Sequence, residues 1–324
     1  MPSAPWSTTP ERVPTPAGLG LVLPTFPQRD PMPDGHQLAN LCRDAEAAGA
    51  AGLWACDHLY WHGPSVECLT AVSVAAQSTE RCLVGSCVLQ LPLRSATVVA
   101  KVATSLQQLA GGRLVLGLGV GTHPGEYAAA GVSYARRGAL LDAGITALRH
   151  AWQSHDTPYA QRPVPTPIPL WVGGSSPAAL RRAASCDGWV PLFVSPEDYA
   201  ARLRAVRQAA EGRGRDPAQV VGAVVAFVSV GADRARATES GVRWMSSLYG
   251  LPERAFARHL LAGPPSAVVG ELARWVEAGA RHVAVFVTDD RPLAPFAELA
   301  GEFAGAVAPD RAPAPAGRPV GSVR

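Results

Sequence analysis

Eight short apolar runs, each followed by a stretch of helical periodicity, limit what this chain can fold into more than any other feature. The runs are GLVL at 20–23, GLWA at 52–55, CLVGSCVL at 82–89, LVLGL at 114–118, IPLWV at 168–172, GWV at 188–190, the segment 220–230 and HVAVFV at 282–287. Most are continuous rather than alternating, and strands buried on both faces of a parallel sheet read that way. Helical stretches are predicted at 37–48, 65–78, 96–109, 137–154, 177–184, 196–211, 265–278 and 292–306. Ser176-Pro177 and Ser195-Pro196 pair a capping residue with proline in the first turn. Gly49 and Gly279 stand where helices stop.

Eight β–α units in one run favour a closed (β/α)8 TIM barrel over a doubly wound open sheet. The glycines at 117–121 end the fourth strand rather than open the first unit, and Pro124 follows, so they do not read as a dinucleotide fingerprint. The barrel is assigned to 18–307. The segments 1–17 and 308–324 are rich in Pro, Ala and Arg without apolar periodicity and are expected to be disordered tails. Residues 232–263 form a long insertion with helical pieces of its own, after the seventh strand. An insertion of this length is expected over the active face.

Composition removes several function classes. Apolar residues make up 48% of the chain and charged residues 17%, enough for a large core. No apolar run approaches the roughly 18 residues of a membrane span, and the N-terminal sequence has no secretory h-region. A formal net charge of +3, evenly spread, does not point to nucleic acid. The six cysteines include no C-x-x-C pair, so free thiols in a cytoplasmic protein are expected. There is no G-x-S-x-G elbow, P-loop or H-E-x-x-H, which leaves hydrolase and kinase readings unsupported. A phosphate-substrate isomerase or aldolase would want a lysine or paired carboxylates at strand ends, but the sole lysine, Lys101, lies in a predicted helix.

The active face of such a barrel is the C-terminal rim of its strands, and that is where polar residues gather. After the second strand comes Cys56-Asp57-His58-Leu59-Tyr60-Trp61-His62, in which His58 can move a proton near neutral pH. The alternatives are that Asp57 and His58 simply hold each other, or that Cys56, His58, His62 and Cys68 bind a metal, although their spacing matches no compact zinc pattern. The third strand carries Gly85-Ser86 inside an apolar run, the sign of a bulge or a close backbone approach. The fourth ends in Gly119-Val120-Gly121-Thr122-His123. After the fifth, Gly173-Gly174-Ser175-Ser176-Pro177 sets a tight turn at a helix start, a suitable place for a phosphate. The alternative there is an ordinary capped turn. Trp54, Trp171, Trp189, Trp244 and Trp275 read as core or wall.

These residues resemble the bacterial luciferase-like flavin and deazaflavin oxidoreductases. The resemblance runs from about Leu19 to Ala306. It is carried by Glu46-Ala47-Ala48-Gly49 leading into Leu53 to Leu59, by Val88 to Arg94, by Ala110-Gly111-Gly112-Arg113 leading into Leu114 to Gly119, by Glu126-Tyr127, by Leu170 to Ser175 with Cys186 to Trp189, and by Gly263-Pro264-Pro265. It implies a TIM-barrel oxidoreductase that binds coenzyme F420 or FMN. It further implies a cofactor phosphate at Gly173, Gly174, Ser175 and Ser176, a ring backed by a non-prolyl cis peptide at Ser86–Cys87, contacts from Asp57, Gly121 and Thr122, and His58 near the ring as the catalytic residue. His62 and His123 rank second.

Two positions depart from the family pattern. Thr122 stands where sugar-phosphate dehydrogenase members have an acidic residue and where flavin-using relatives commonly have tryptophan. His62 stands where the former have tryptophan. Neither that substrate nor its catalytic acid is therefore carried over. The resemblance favours F420-dependent hydride transfer with a small organic substrate, served by a separate cofactor-reducing enzyme, and implies a homodimer. An FMNH2- and O2-dependent two-component monooxygenase and a non-catalytic flavin-binding subunit are the alternatives.

Overall fold

Each apolar run pairs in parallel with the next one along the chain. A computed structural model describes residues 18–28, 32–153, 161–162 and 166–307, and both expected tails lie outside these residues. The chain alternates β1 (Gly18–Val22), α1 (Gly35–Ala47), β2 (Gly52–Ala55), α2 (Cys68–Ser78), β3 (Leu83–Gln90), α3 (Ala96–Leu109), β4 (Leu114–Gly119), α4 (Pro124–Ala129) and α5 (Arg137–Gln153). It continues through β5 (Leu170–Gly173), α6 (Pro177–Ala183), β6 (Gly188–Val190), α7 (Pro196–Glu211), β7 (Val221–Val230), α8 (Arg234–Tyr249), β8 (Leu260–Gly263), α9 (Pro265–Glu277), β9 (His282–Val287) and α10 (Leu293–Ala306).

Strands β1 to β6 pair in sequence, β6 reaches β7, β7 pairs β9, and β9 returns to β1. The cylinder therefore has eight parallel strands, the eight expected from sequence. The insertion differs from expectation because it contains a strand. Strand β8 lies outside the cylinder and pairs with the far half of β7, Phe227 to Val230 against Leu260 to Gly263. Strand β7 is ten residues long, and on the edge away from β9 its end runs past the short β6, so its backbone there needs another partner.

Two apolar clusters fill the structure. The larger lies between strands and helices. The other runs up the barrel interior, from Trp54 and Trp171 through Phe227 and Phe286, and continues into Val242, Met245 and Leu248 of α8 and Leu260 of β8. The insertion is thus seated on the barrel's own core. Deep inside, the Trp54 indole donates to His282 Nε2 at 2.9 Å, and the Trp54 and Trp171 rings lie 5.1 Å apart. The neighbouring strands make room for them: a Cβ at Gly20 would fall 2.6 Å from both His282 and Trp54, and one at Gly188 would fall 2.5 Å from Trp171.

Local signals explain the helix ends. Asp34 closes a capping box with Gln37 at the start of α1, and Ser176 and Ser195 cap α6 and α7. Gly49 and Gly279 take φ of 99° and 103°, where a side chain would be strained. Glu46, near the end of α1, accepts hydrogen bonds from the backbone amides of Glu80, Arg81 and Cys82, the last two at 2.7 and 2.8 Å. Burial opposes its ionisation, yet those amides outweigh it and hold the carboxyl down at about 2.

Candidate active site

The loop after β2 begins with an ion pair that sets everything above it. Asp57 is buried and meets Arg94 through both carboxylate oxygens, at 2.7 and 2.8 Å, while the Gln90 backbone amide donates to it at 2.7 Å. Burial pushes this carboxyl up, and the Arg94 fork and the amide pull against that. Arg94 also reaches Glu67 at 3.0 Å, which ties the start of α2 into the same cluster.

His58 is brought to bear by the next carboxylate along. Its Nδ1 lies 2.9 Å from Glu126 Oε2. Glu126 is fully buried at the start of α4, and its other oxygen accepts from the backbone amides of Leu59 at 2.5 Å and Tyr60 at 3.3 Å. Burial penalises the charge, but His58 and the two amides outweigh it, and the carboxyl sits below its ordinary value. Gln90 Nε2 donates to the Asp57 carbonyl at 2.8 Å and approaches Glu126 at 3.3 Å. A carboxylate accepting from Nδ1 fixes that ring nitrogen as the donor. It leaves Nε2 without a partner among the described residues. The imidazole is stacked on Trp61 at 3.8 Å and meets the edge of Phe26 at 5.7 Å. The Trp61 indole in turn donates to the Leu248 carbonyl of α8 at 2.6 Å. The insertion thus closes over this side of the rim, as its length led us to expect.

The bulge in β3 falls one residue later than the resemblance implied. The non-prolyl cis peptide is Cys87–Val88, not Ser86–Cys87. Ser86 is still in register with Leu116, and the ladder resumes only at Leu89 opposite Leu118, so Cys87 and Val88 are the irregular residues. Ser86 Oγ donates to the Gly117 carbonyl at 2.8 Å, within the sheet. Cys87 is packed in the barrel interior, where its carbonyl lies 3.4 Å from Cys56 Sγ. The Val88 side chain fills space left by glycines on two neighbouring strands. A Cβ at Gly119 or Gly173 would fall 2.5 or 2.9 Å from it.

Gly173 leads from that contact into the turn before α6. Gly174 is exposed with φ of 91°, and its carbonyl accepts from the Trp189 indole at 2.8 Å. Ser176 Oγ accepts from the Ala179 amide. Ser175 Oγ is buried without a hydrogen-bond partner, and Arg202 Nη1 donates to the Ser175 carbonyl at 3.3 Å. An orphaned hydroxyl, an open backbone turn and a nearby guanidinium fit an anionic group such as a cofactor phosphate.

Gly121 has φ of 66°, and a Cβ there would overlap the Gln90 side chain. Thr122 is exposed and accepts from Tyr134 through its carbonyl. The imidazole rings of His123 and His62 lie around Trp61, with centroids 6.1 and 4.9 Å from it. The metal alternative is not supported. Cys68 Sγ donates to the Ala55 carbonyl, burial first and Asp57 second push the Cys56 thiol up to about 12, and no metal-holding group of three or more His, Cys, Asp or Glu side chains occurs among the described residues.

Sequence reasoning missed Glu126, Gln90, Arg94 and Arg202 as working parts of this face. For Glu126 the available signal was its place in the first turn of a helix directly after the strand-four glycines.

The model of the luciferase-like monooxygenase family matches residues 18–249. The chain belongs to that family. A phthiodiolone/phenolphthiodiolone dimycocerosates ketoreductase of Mycobacterium kansasii is 32% identical over 208 residues, 58% of this chain and 56% of that protein. The chain therefore spans little more than half the length of this curated relative. An F420-dependent secondary alcohol dehydrogenase, solved with an F420-acetone adduct, superposes with a TM-score of 0.77 at 18% identity, covering 91% of this chain and all of that one. The oxygenating constituent of 3,6-diketocamphane monooxygenase from Pseudomonas putida, solved with FMN, superposes at 0.69 with 17% identity, covering 89% and 98%. At these identities the two structures establish a shared fold. No helix among the described residues is long and apolar enough to cross a membrane.

Proposed function

We propose that this luciferase-like protein is an F420-dependent oxidoreductase that transfers hydride between the deazaflavin and a small organic substrate. The observation that carries the reading is the buried Glu126 carboxylate on His58 Nδ1, which keeps Nε2 as the nitrogen available to a ligand. Bound at this rim, the deazaflavin would supply the carbon that gains or loses hydride. The protein's part is binding, orientation and proton handling. Gly173, Gly174, Ser175 and Ser176 would hold the phosphate, with Ser175 Oγ gaining the partner it lacks. The β3 bulge at Cys87–Val88 would back the ring, and Asp57, through Gln90 and Arg94, would keep the His58 loop in place. Gly121 and Thr122 would border the ring. His58 would give or take the proton at Nε2 that accompanies hydride transfer. A cytoplasmic setting with a separate F420-reducing enzyme goes with this reading and with six free thiols.

The test is titration of the purified full chain with F420 and with FMN, followed by mass and absorbance. Micromolar F420 binding, weakened in Ser175→Ala, is the expected result. Tight FMN binding without F420 binding would instead favour the two-component monooxygenase. Unchanged turnover in His58→Ala, with cofactor binding intact, would favour a non-catalytic subunit.

A further inference from the structure

The insertion contributes more than a lid. The last turn of α8 ends in Leu248-Tyr249 and is closed by Gly250, with φ of 64°. Tyr249 stands in a wall of rings drawn from separate parts of the chain. It stacks on Phe256 at 5.3 Å, meets Trp61 edge-on at 5.9 Å, and lies 5.9 Å from Phe193 and 6.1 Å from Phe227. Phe193 reaches its place with φ of 57°, rare for a bulky residue, and remains 38% exposed. The Tyr249 hydroxyl has no hydrogen-bond partner among the described residues. Burial first, and Cys56 at the end of β2 second, push the phenol above its ordinary value. A phenol is a neutral donor at neutral pH, and this one stands on a ring placed between Trp61 of the rim loop and Phe256 of the insertion.

Ring faces stabilise apolar surface and return nothing to the hydration shell of a phosphate or carboxylate; the polar edge of this wall is His259, 4.8 Å from Phe193 and bonded to the exposed Arg258. A phenol set in such a wall suits one neutral oxygen.

Resting on the F420 reading above, we propose that Tyr249 binds substrate, its hydroxyl bonding the oxygen of an apolar carbonyl compound or alcohol seated against the ring wall, across Trp61 from His58. The insertion is then the specificity element, and it favours substrates with apolar bodies.

The test is calorimetric titration of the full chain, loaded with oxidised F420, with acetophenone and with glucose 6-phosphate. Oxidised cofactor with a ketone gives no turnover, so the readout is binding alone. Acetophenone is expected to bind and glucose 6-phosphate not to. Tyr249→Phe, which keeps the ring and its packing, should weaken acetophenone roughly three- to tenfold, the worth of one neutral hydrogen bond, with F420 affinity and thermal midpoint unchanged. Equal acetophenone affinity in the two proteins, no acetophenone binding, or a preference for glucose 6-phosphate would each overturn the proposal. If F420 itself fails to bind, the F420 reading is lost, and the same titration of the cofactor-free chain still decides the role of Tyr249.

Discussion

Glu126 is the residue on which the proposed chemistry of this rim turns. It is buried and is joined to His58 and to two backbone amides. Glu126→Gln keeps the shape but replaces a charged acceptor with a neutral one. We expect turnover to fall about 10- to 100-fold, because the imidazole loses the charged partner that orients it. F420 affinity should stay within about twofold, which a fluorescence titration measures. Glu46 yields a prediction about pH. Its folded value of about 2 is below an ordinary 4.5, so the stability it adds is fully present above 4.5 and is lost as pH falls from there towards 2. The group is only partly buried, so after discounting for screening the effect is about 1 kcal/mol. Urea unfolding at pH 6 and pH 3 should show the wild type losing more stability than Glu46→Gln over that interval.

Among the elements, β3 with its bulge and the turn after β5 behave as one part. Gly173→Ala would bring a methyl to 2.9 Å from Val88. It should lower stability by about 1–3 kcal/mol, as overpacking does. Val88→Ala in the same chain should return much of that loss, and a double-mutant cycle by thermal unfolding reads the coupling. The eight barrel strands were legible in the sequence because they are continuous apolar runs, and most helices because serine, proline and glycine mark their ends. Strand β8 was not legible. Its four residues, Leu260 to Gly263, sit in a long insertion, and only the overhanging end of β7 makes a strand of them. At the site, Asp57, His58 and the glycine turn could be read from their places after strands. The bulge read at Gly85-Ser86 falls instead at Cys87-Val88, and the cis bond implied by the resemblance is one residue off, since sequence shows that a strand contains an irregularity without showing where register resumes. Glu126 was quoted among the residues that carry the resemblance but given no role, because the family's acidic position falls at Thr122 and the sequence did not show that the short helix α4 brings Glu126 onto His58.

At the scale of the whole molecule, the cylinder closes through its last strand. β9 pairs with β1 over residues 18–21 and with β7 over residues 223–228, so two neighbours distant in sequence depend on it. A fragment ending at 249, where the family match stops, would leave both with open, apolar edges. We expect it to be insoluble or unfolded by circular dichroism, whereas a chain ending at 307 should fold and unfold as the full chain does.

Trp61 touches both halves of this architecture, with its ring face on His58 and its indole N–H on the α8 backbone. Grafting the 232–263 segment from a relative to alter what the protein accepts would therefore also tilt the imidazole. A chimera that keeps its rate needs a graft whose backbone carbonyl at position 248 still meets that indole.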